Sequence, residues 1–118
     1  MRVYQYPACS TCRKALKWLD EHGIPYEPAH IVDAPPTFDE LTEAIQRSSL
    51  PLRRFFNTSG QSYREGGFSE RLKTMSDREA IEALANDGKL IKRPLILNTG
   101  SGKVLVGFKE DEWKAALV

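Results

Sequence analysis

The chain has 118 residues, of which 17 are basic and 16 acidic, giving a formal net charge of +1. This length fits one domain, residues 1–118, which can bury its own core without a structural metal. The near-zero charge excludes a global field that would favour direct binding of nucleic acid or of an anionic membrane. With no run of about 18 apolar residues and no signal peptide, the sequence predicts a soluble, cytoplasmic protein.

The N-terminal third predicts a strand, a helix and a second strand. Residues 2–6 are rich in β-branched and aromatic side chains and stop at Pro7, which is typical of a short strand. A helix is expected from Ser10 to Gly23, with an apolar side made of Ala15, Leu16, Trp18 and Leu19. Residues 24–31 indicate a second strand, which two prolines restrict to the edge of a sheet.

The middle of the chain predicts helices. Two capping boxes, beginning at Thr37 and Ser76, each precede apolar residues at helical spacing. The first of these helices is expected to end near Ser49 and the second at Gly88. Between them, residues 57–75 show no clear periodicity, so no element is assigned there.

The C-terminal part predicts a β-hairpin and a last helix. The apolar runs 95–97 and 104–106 flank a turn, and residues 110–117 place Trp113 on an apolar helix face. The complete order is strand, helix, strand, helical middle, hairpin and helix. That order predicts an α/β protein with a thioredoxin-like fold and a helical insertion between the second and third strands, packed around one shared core.

Cys9 and Cys12 are the only cysteines, and they lie where the first strand gives way to the first helix. The backbone N–H groups of the first helical turn, at Ser10 and Thr11, and the charges of Arg13 and Lys14 favour a thiolate there. We therefore predict that Cys9 is a nucleophile whose pKa lies well below the free-cysteine value of roughly 8.5. A three-residue separation brings the two Cα atoms to about 5–6 Å, so Cys12 is predicted to be the resolving thiol.

Two simpler interpretations of the thiol pair stay open. The cysteines can be ordinary residues, one of them buried against the first helix. A structural zinc needs four ligands, and the only histidines are His22 and His30. Because His22 follows Cys12 by ten residues on the same predicted helix, a rise of about 15 Å separates them. The sequence therefore predicts no metal site.

Arg93 and Pro94 form the second candidate position. A proline just before a buried strand can simply begin that strand, and the arginine can be an ordinary surface residue. In a thioredoxin-like site, the same peptide faces the thiols, often with a cis-proline that fixes the approach of substrate. Arg93 would then present its charge to an oxyanion or to the Cys9 thiolate. The sequence leaves the isomer of Pro94 open.

Four segments together resemble the arsenate reductase (ArsC) family, which includes the Spx and MgsR regulators. They are residues 6–15 around the CxxC pair, 56–60, 63–65 and 90–95, and the resemblance covers nearly the whole chain. It implies that Cys9 attacks arsenate while arginines hold the oxyanion. It also implies a thiol reductant, either glutathione with glutaredoxin or thioredoxin, as electron donor, with no bound cofactor. The candidate substrate- or anion-binding residues are Arg93, Pro94, Arg13, Ser10 and Thr11.

The chain departs from the family pattern at two anion-binding positions. As we align the sequences, two of the family's three arginines fall on Asn57 and Gly107, and Arg93 alone is kept. Each lost charge-assisted contact costs roughly 1.5–3 kcal/mol, so oxyanion binding is expected to be weaker by orders of magnitude. Arg64 or Lys92 would have to supply the missing charge.

Two functions are consistent with the sequence. The first is a thiol-dependent reductase of the arsenate reductase type. The second, implied by the resemblance to Spx and MgsR, is a redox switch that binds RNA polymerase without turnover. Those regulators carry a basic C-terminal tail, whereas this sequence ends at Val118 directly after its last predicted helix. That difference favours the reductase.

Overall fold

The computed structural model describes all residues from Met1 to Val118. Its regular elements, in chain order, are β1 (Arg2–Gln5), α1 (Ser10–Glu21), β2 (Glu27–His30), α2 (Phe38–Ser48), α3 (Gln61–Glu65), α4 (Phe68–Arg71), α5 (Asp77–Asn86), β3 (Leu95–Leu97), β4 (Leu105–Val106) and α6 (Glu110–Leu117). Two 3₁₀ turns, Leu52–Phe55 and Gly88–Leu90, complete the helical middle. No helix combines the length and the apolar character that crossing a bilayer requires.

The four strands form one mixed sheet in the order β2-β1-β3-β4. β1 pairs with β2 in parallel, through the crossover helix α1, and pairs with β3 antiparallel. β3 and β4 form the predicted antiparallel hairpin. This topology confirms the predicted α/β class and the thioredoxin-like fold, with the helical insertion between β2 and β3.

The second strand is shorter than predicted and begins at Glu27 rather than at residue 24. The backbone N–H of Ile24 donates to the Leu19 carbonyl at 3.0 Å, so it closes the end of α1 instead of pairing with β1. Pro28 is accommodated because β2 is an edge strand, as its sequence indicated.

The sheet separates two apolar clusters, which differs from the single shared core that we expected. On one face, Val3, Ile96 and Leu105 pack with α1 and with Trp113 of α6. On the other face, the neighbouring strand residues, among them Tyr4, join a larger cluster with the helical insertion. Successive side chains of a strand point to opposite faces, so three short strands supply both cores.

Residues 57–75, which had no assignment from sequence, contain the two short helices α3 and α4. Gly67, with a φ of 67°, lies in the left-handed region between them and turns the chain. The aromatic rings of Phe56, Tyr63 and Phe68 pack together at centroid distances of 5.7–6.2 Å. This cluster anchors both helices to the insertion.

Gly88 allows the insertion to pack closely against the end of β2. A Cβ built at this buried position would lie 1.8 Å from the Ile31 carbonyl oxygen, which is backbone and has little freedom to move. We therefore expect Gly88→Ala to destabilise the protein by about 2 kcal/mol or more in urea unfolding. Gly100→Ala is the matched control because nothing lies within 4 Å of its added Cβ. Equal stability of the two variants would contradict this close approach.

Candidate active site

Cys9 lies in the loop between β1 and α1 and is the N-terminal capping residue of that helix. Its backbone is extended, with φ −87° and ψ 115°, and its sulfur accepts the backbone N–H of Cys12 at 3.3 Å. A helix N-terminus leaves N–H donors without intrahelical acceptors, and here the Cys9 sulfur accepts one of them. Cys9 is half-buried, whereas Cys12 is fully buried.

The surroundings of Cys9 lower the pKa of its thiol. Burial works in the opposite direction and is the largest single influence. Hydrogen bonds from the side chain and the backbone N–H of Cys12, together with the hydrogen bond and charge of Arg93, outweigh it. Because the thiolate is the reactive form of cysteine, this arrangement makes Cys9 the more nucleophilic sulfur at neutral pH.

Cys12 has the opposite environment. Burial, the hydrogen bond that it makes to Cys9 and the negative charge of the Cys9 thiolate raise the pKa of Cys12 to about 12. The Cys12 thiol therefore keeps its proton while Cys9 is ionised. The two pKa values move apart, as expected for a nucleophile next to a resolving thiol.

Arg93 reaches the thiols from the loop before β3, and the Arg93–Pro94 peptide bond is cis. The guanidinium lies over the ring of Tyr6, 5.0 Å from its centroid, and its Nη1 donates to the Lys89 carbonyl at 3.4 Å. The Nε atom of Arg93 is buried and has no hydrogen-bond partner. It is therefore a donor available to a bound anion.

A polar cavity of about 350 Å³ lies beside Arg93. Its wall contains the positive charges of Arg93 and Lys89 and the negative charge of Glu65, which accepts a hydrogen bond from Gln61 at 2.8 Å. The remaining lining residues are Tyr6, Asn57, Gly60 and Ser62. Sequence reasoning did not place Lys89 or the α3 residues at the site, because α3 had no recognisable pattern.

The other candidate residues lie close to the thiols in the chain. Ser10 and Thr11 are exposed in the first turn of α1. Arg13 is also exposed, and its guanidinium donates to the Pro7 carbonyl at 2.8 Å. The positive charge that acts on Cys9 comes from Arg93. Binding of substrate by Ser10, Thr11 and Arg13 stays a prediction.

The two positions that lack the family's arginines lie on either side of the site. Asn57 lines the cavity beside Arg93. Gly107 has a φ of 76°, and its N–H donates to the Pro94 carbonyl at 2.9 Å. A Cβ at Gly107 would lie 3.3 Å from the Lys92 side chain, so Lys92 covers this position. Arg64 is exposed on α3 and does not line the cavity.

The variant Arg93→Gln tests whether the charge of Arg93 lowers the pKa of Cys9. Removing the guanidinium removes both its hydrogen bond and its charge, so we expect the pKa of Cys9 to rise and alkylation by iodoacetamide at pH 7 to slow. The matched control is Arg13→Gln, which removes a charge that the structure directs to the Pro7 carbonyl. An unchanged alkylation rate in Arg93→Gln, or the larger change in Arg13→Gln, would contradict the assigned role of Arg93.

Comparison with known proteins places this geometry in a family. The family model described as ArsC family matches residues 4–116. The uncharacterized protein YusI of Bacillus subtilis is 52% identical over 114 residues, which cover 97% of this chain and 95% of YusI. The global transcriptional regulator Spx of Listeria innocua is 28% identical, with 93% and 81% covered.

Solved structures give the same result. A crystal structure of an ArsC-family-related protein from Bacteroides fragilis superposes with a TM-score of 0.91 at 50% identity, covering 98% of this chain and 95% of that one. The arsenate reductase from Vibrio cholerae superposes with a TM-score of 0.84 at 26% identity, covering 99% and 98%. The thiol pair, the cis-proline loop and the sheet thus occur in a chain that belongs to the ArsC family.

Proposed function

We propose that this protein is a thiol-dependent reductase of the arsenate reductase type. Cys9 is the nucleophile, Cys12 is the resolving thiol, and Arg93 holds the negative charge of the substrate. The observation that carries the proposal is that the pKa values of two neighbouring thiols are shifted in opposite directions. The pKa of Cys9 is lowered, and that of Cys12 is raised to about 12. The arsenate reductase from Vibrio cholerae supports it as a structural relative over the whole chain.

The proposed reaction is a two-electron exchange. With a disulfide substrate, the Cys9 thiolate forms a bond to one substrate sulfur, and the other substrate sulfur leaves as a thiolate and takes up a proton. Cys12 then loses its proton and attacks Cys9, which releases the second substrate thiol and leaves a Cys9–Cys12 disulfide. With arsenate, the Cys9 thiolate forms a bond to arsenic(V), and one arsenate oxygen takes up protons and leaves as water. Attack of Cys12 on the Cys9 sulfur then breaks the sulfur–arsenic bond, and its electron pair stays on arsenic, which leaves as arsenite. A cytoplasmic thiol reductant, glutathione with glutaredoxin or thioredoxin, returns two electrons to the protein disulfide.

The charges of the site favour disulfides over arsenate as substrates. Arg93 is the single arginine in the cavity, and Asn57 is neutral where the family has a second. Glu65 adds a negative charge to the same wall, which opposes the binding of a dianion. Lys92 is the nearest replacement for the arginine missing at Gly107. We therefore expect weak arsenate turnover beside faster reduction of small disulfides.

Steady-state turnover tests the proposal. Purified protein is assayed with arsenate, glutathione disulfide and small aromatic disulfides, in the presence of glutathione with glutaredoxin or of thioredoxin. The expected result is turnover of at least one substrate, lost in Cys9→Ser. Equal rates for the wild type and Cys9→Ser on every substrate would exclude the reductase.

A redox-sensing regulator is the second candidate, favoured by the similarity to Spx over nearly the whole chain. In that case, oxidation of Cys9 and Cys12 changes a surface that binds RNA polymerase, and no substrate is turned over. Affinity capture of RNA polymerase from a bacterial extract, under reducing and oxidising conditions, tests this function. Capture that depends on the thiol state supports it, and absence of polymerase in both conditions excludes it.

A further inference from the structure

A second, strongly basic groove lies beside the thiol site. It has a volume of about 420 Å³ and is lined by Arg53, Arg54 and Lys92, with Pro51, Phe56 and Thr58 completing its wall. No acidic residue lines it. Its three cations are also absent from every ion pair in the molecule.

The local structure explains why these cations converge. In the 3₁₀ turn Leu52–Phe55, the side chain of Phe55 is buried in the core, which leaves Arg53 and Arg54 exposed next to each other. The backbone N–H of Lys92 donates to the Phe55 carbonyl at 2.8 Å, so this hydrogen bond holds Lys92 beside the turn. Three like charges with no internal counterion repel one another, and an external anion relieves that repulsion.

The groove and the thiol site share the same two chain segments. Lys92 lines the groove, and the next residue, Arg93, lines the polar cavity and acts on Cys9. Likewise, Thr58 lines the groove and its neighbour Asn57 lines the cavity. Since consecutive Cα atoms are about 3.8 Å apart, the groove lies within a few residues' reach of the arginine that acts on Cys9.

We propose that the groove of Arg53, Arg54 and Lys92 docks an acidic segment of a protein partner that exchanges disulfides with Cys9, an inference that rests on the proposed reductase function. Carboxylates of such a segment would meet three cations in a groove that no acidic residue lines. A nucleic acid is a poorer fit because its duplex requires a broad basic surface, whereas this chain has a net charge of only +1.

Two activated peptides test the proposal with the full chain. One is Cys-Glu-Glu-Glu and the other Cys-Gln-Gln-Gln, each joined through its cysteine to thionitrobenzoate. The Cys9 thiolate attacks the peptide sulfur and releases thionitrobenzoate, which is measured by its colour. Cys12 then attacks Cys9 and frees the peptide thiol. The ratio of the two second-order rate constants reports docking, because the chemical step is the same for both peptides.

At low ionic strength, we expect the Glu peptide to react about tenfold faster than the Gln peptide, within the range of electrostatic steering. The ratio should fall towards one in 1 M salt, where the screening length is about 3 Å. In the triple variant R53Q/R54Q/K92Q, the ratio of the two rate constants should also be close to one. The charge-matched control K17Q/R47Q/R78Q removes exposed helix cations that already pair with glutamates, so it should keep the wild-type ratio.

The outcomes separate the two proposals. A wild-type ratio of one, with both peptides reacting, overturns the docking groove and leaves the reductase intact. If neither peptide reacts, the reductase fails and the groove proposal with it. Fluorescence anisotropy then compares the affinity of the protein for labelled hexaglutamate with its affinity for a labelled single-stranded oligonucleotide. Tighter binding of the oligonucleotide, lost in the triple variant, would overturn the acidic peptide in favour of nucleic acid.

Discussion

Replacing Cys9 with serine is expected to reduce the reaction with an aromatic disulfide by about three orders of magnitude or more, because a serine hydroxyl is not ionised at neutral pH. Cys12 cannot take over the reaction. It is fully buried, and a pKa of about 12 keeps its thiol almost entirely protonated at pH 7. The rate of thionitrobenzoate release from Ellman's reagent measures the effect.

The control for this variant is Ser69→Ala, which removes an exposed hydroxyl on α4, outside the candidate site, and leaves both sulfurs in place. It should react at nearly the wild-type rate. Circular dichroism of both variants separates loss of the nucleophile from loss of the fold. Reaction of folded Cys9→Ser at the wild-type rate would show that the nucleophile is another residue.

Replacing Cys12 with serine is expected to stop the reaction at the mixed disulfide on Cys9. With Ellman's reagent, the wild type should release a second equivalent of thionitrobenzoate when Cys12 attacks Cys9, whereas the variant should release one and keep the adduct. Mass spectrometry of the intact protein identifies that adduct. The backbone N–H and the serine hydroxyl at position 12 still donate to the Cys9 sulfur, so the first step should stay close to the wild-type rate.

The structure also explains how Cys12 becomes reactive after the first step. Two of the three influences that raise its pKa, a hydrogen bond and a negative charge, come from Cys9. Both are lost when Cys9 enters a mixed disulfide, so the pKa of Cys12 should fall at that point. Release of two equivalents by Cys12→Ser would contradict the resolving role.

Much of the fold could be predicted because its signals are local. Thr37 and Ser76 begin helices with the capping boxes that their sequences indicated, each reciprocated by a glutamate side chain. The hairpin of β3 and β4 likewise followed from two apolar runs and a turn. By contrast, α3 and α4 have five and four residues, too few to show helical periodicity. They depend on tertiary packing of Tyr63 and Phe68 instead.

The candidate site was predictable where chemistry depends on neighbours in the chain. Cys9 and Cys12 lie three residues apart at a helix start, and their hydrogen bond follows from that spacing. The same local reasoning predicts that the positive charge at Cys9 comes from Arg13 and Lys14, together with a contribution from Arg93 through the fold. In the structure, it is Arg93 that acts on Cys9, whereas Arg13 contacts the Pro7 carbonyl. Which arginine acts on Cys9 depends on how distant segments of the chain pack together, and local sequence does not show that packing.

The pH dependence of alkylation at each cysteine of the reduced wild-type protein is the most direct test. Iodoacetamide labelling followed by peptide mass spectrometry measures the extent of alkylation of each thiol separately. We expect Cys9 to be labelled first, with a pKa below the ordinary value of about 8.5, and Cys12 to resist labelling until strongly alkaline pH. A pKa for Cys9 at or above the ordinary value, or labelling of Cys12 before Cys9, would contradict the account.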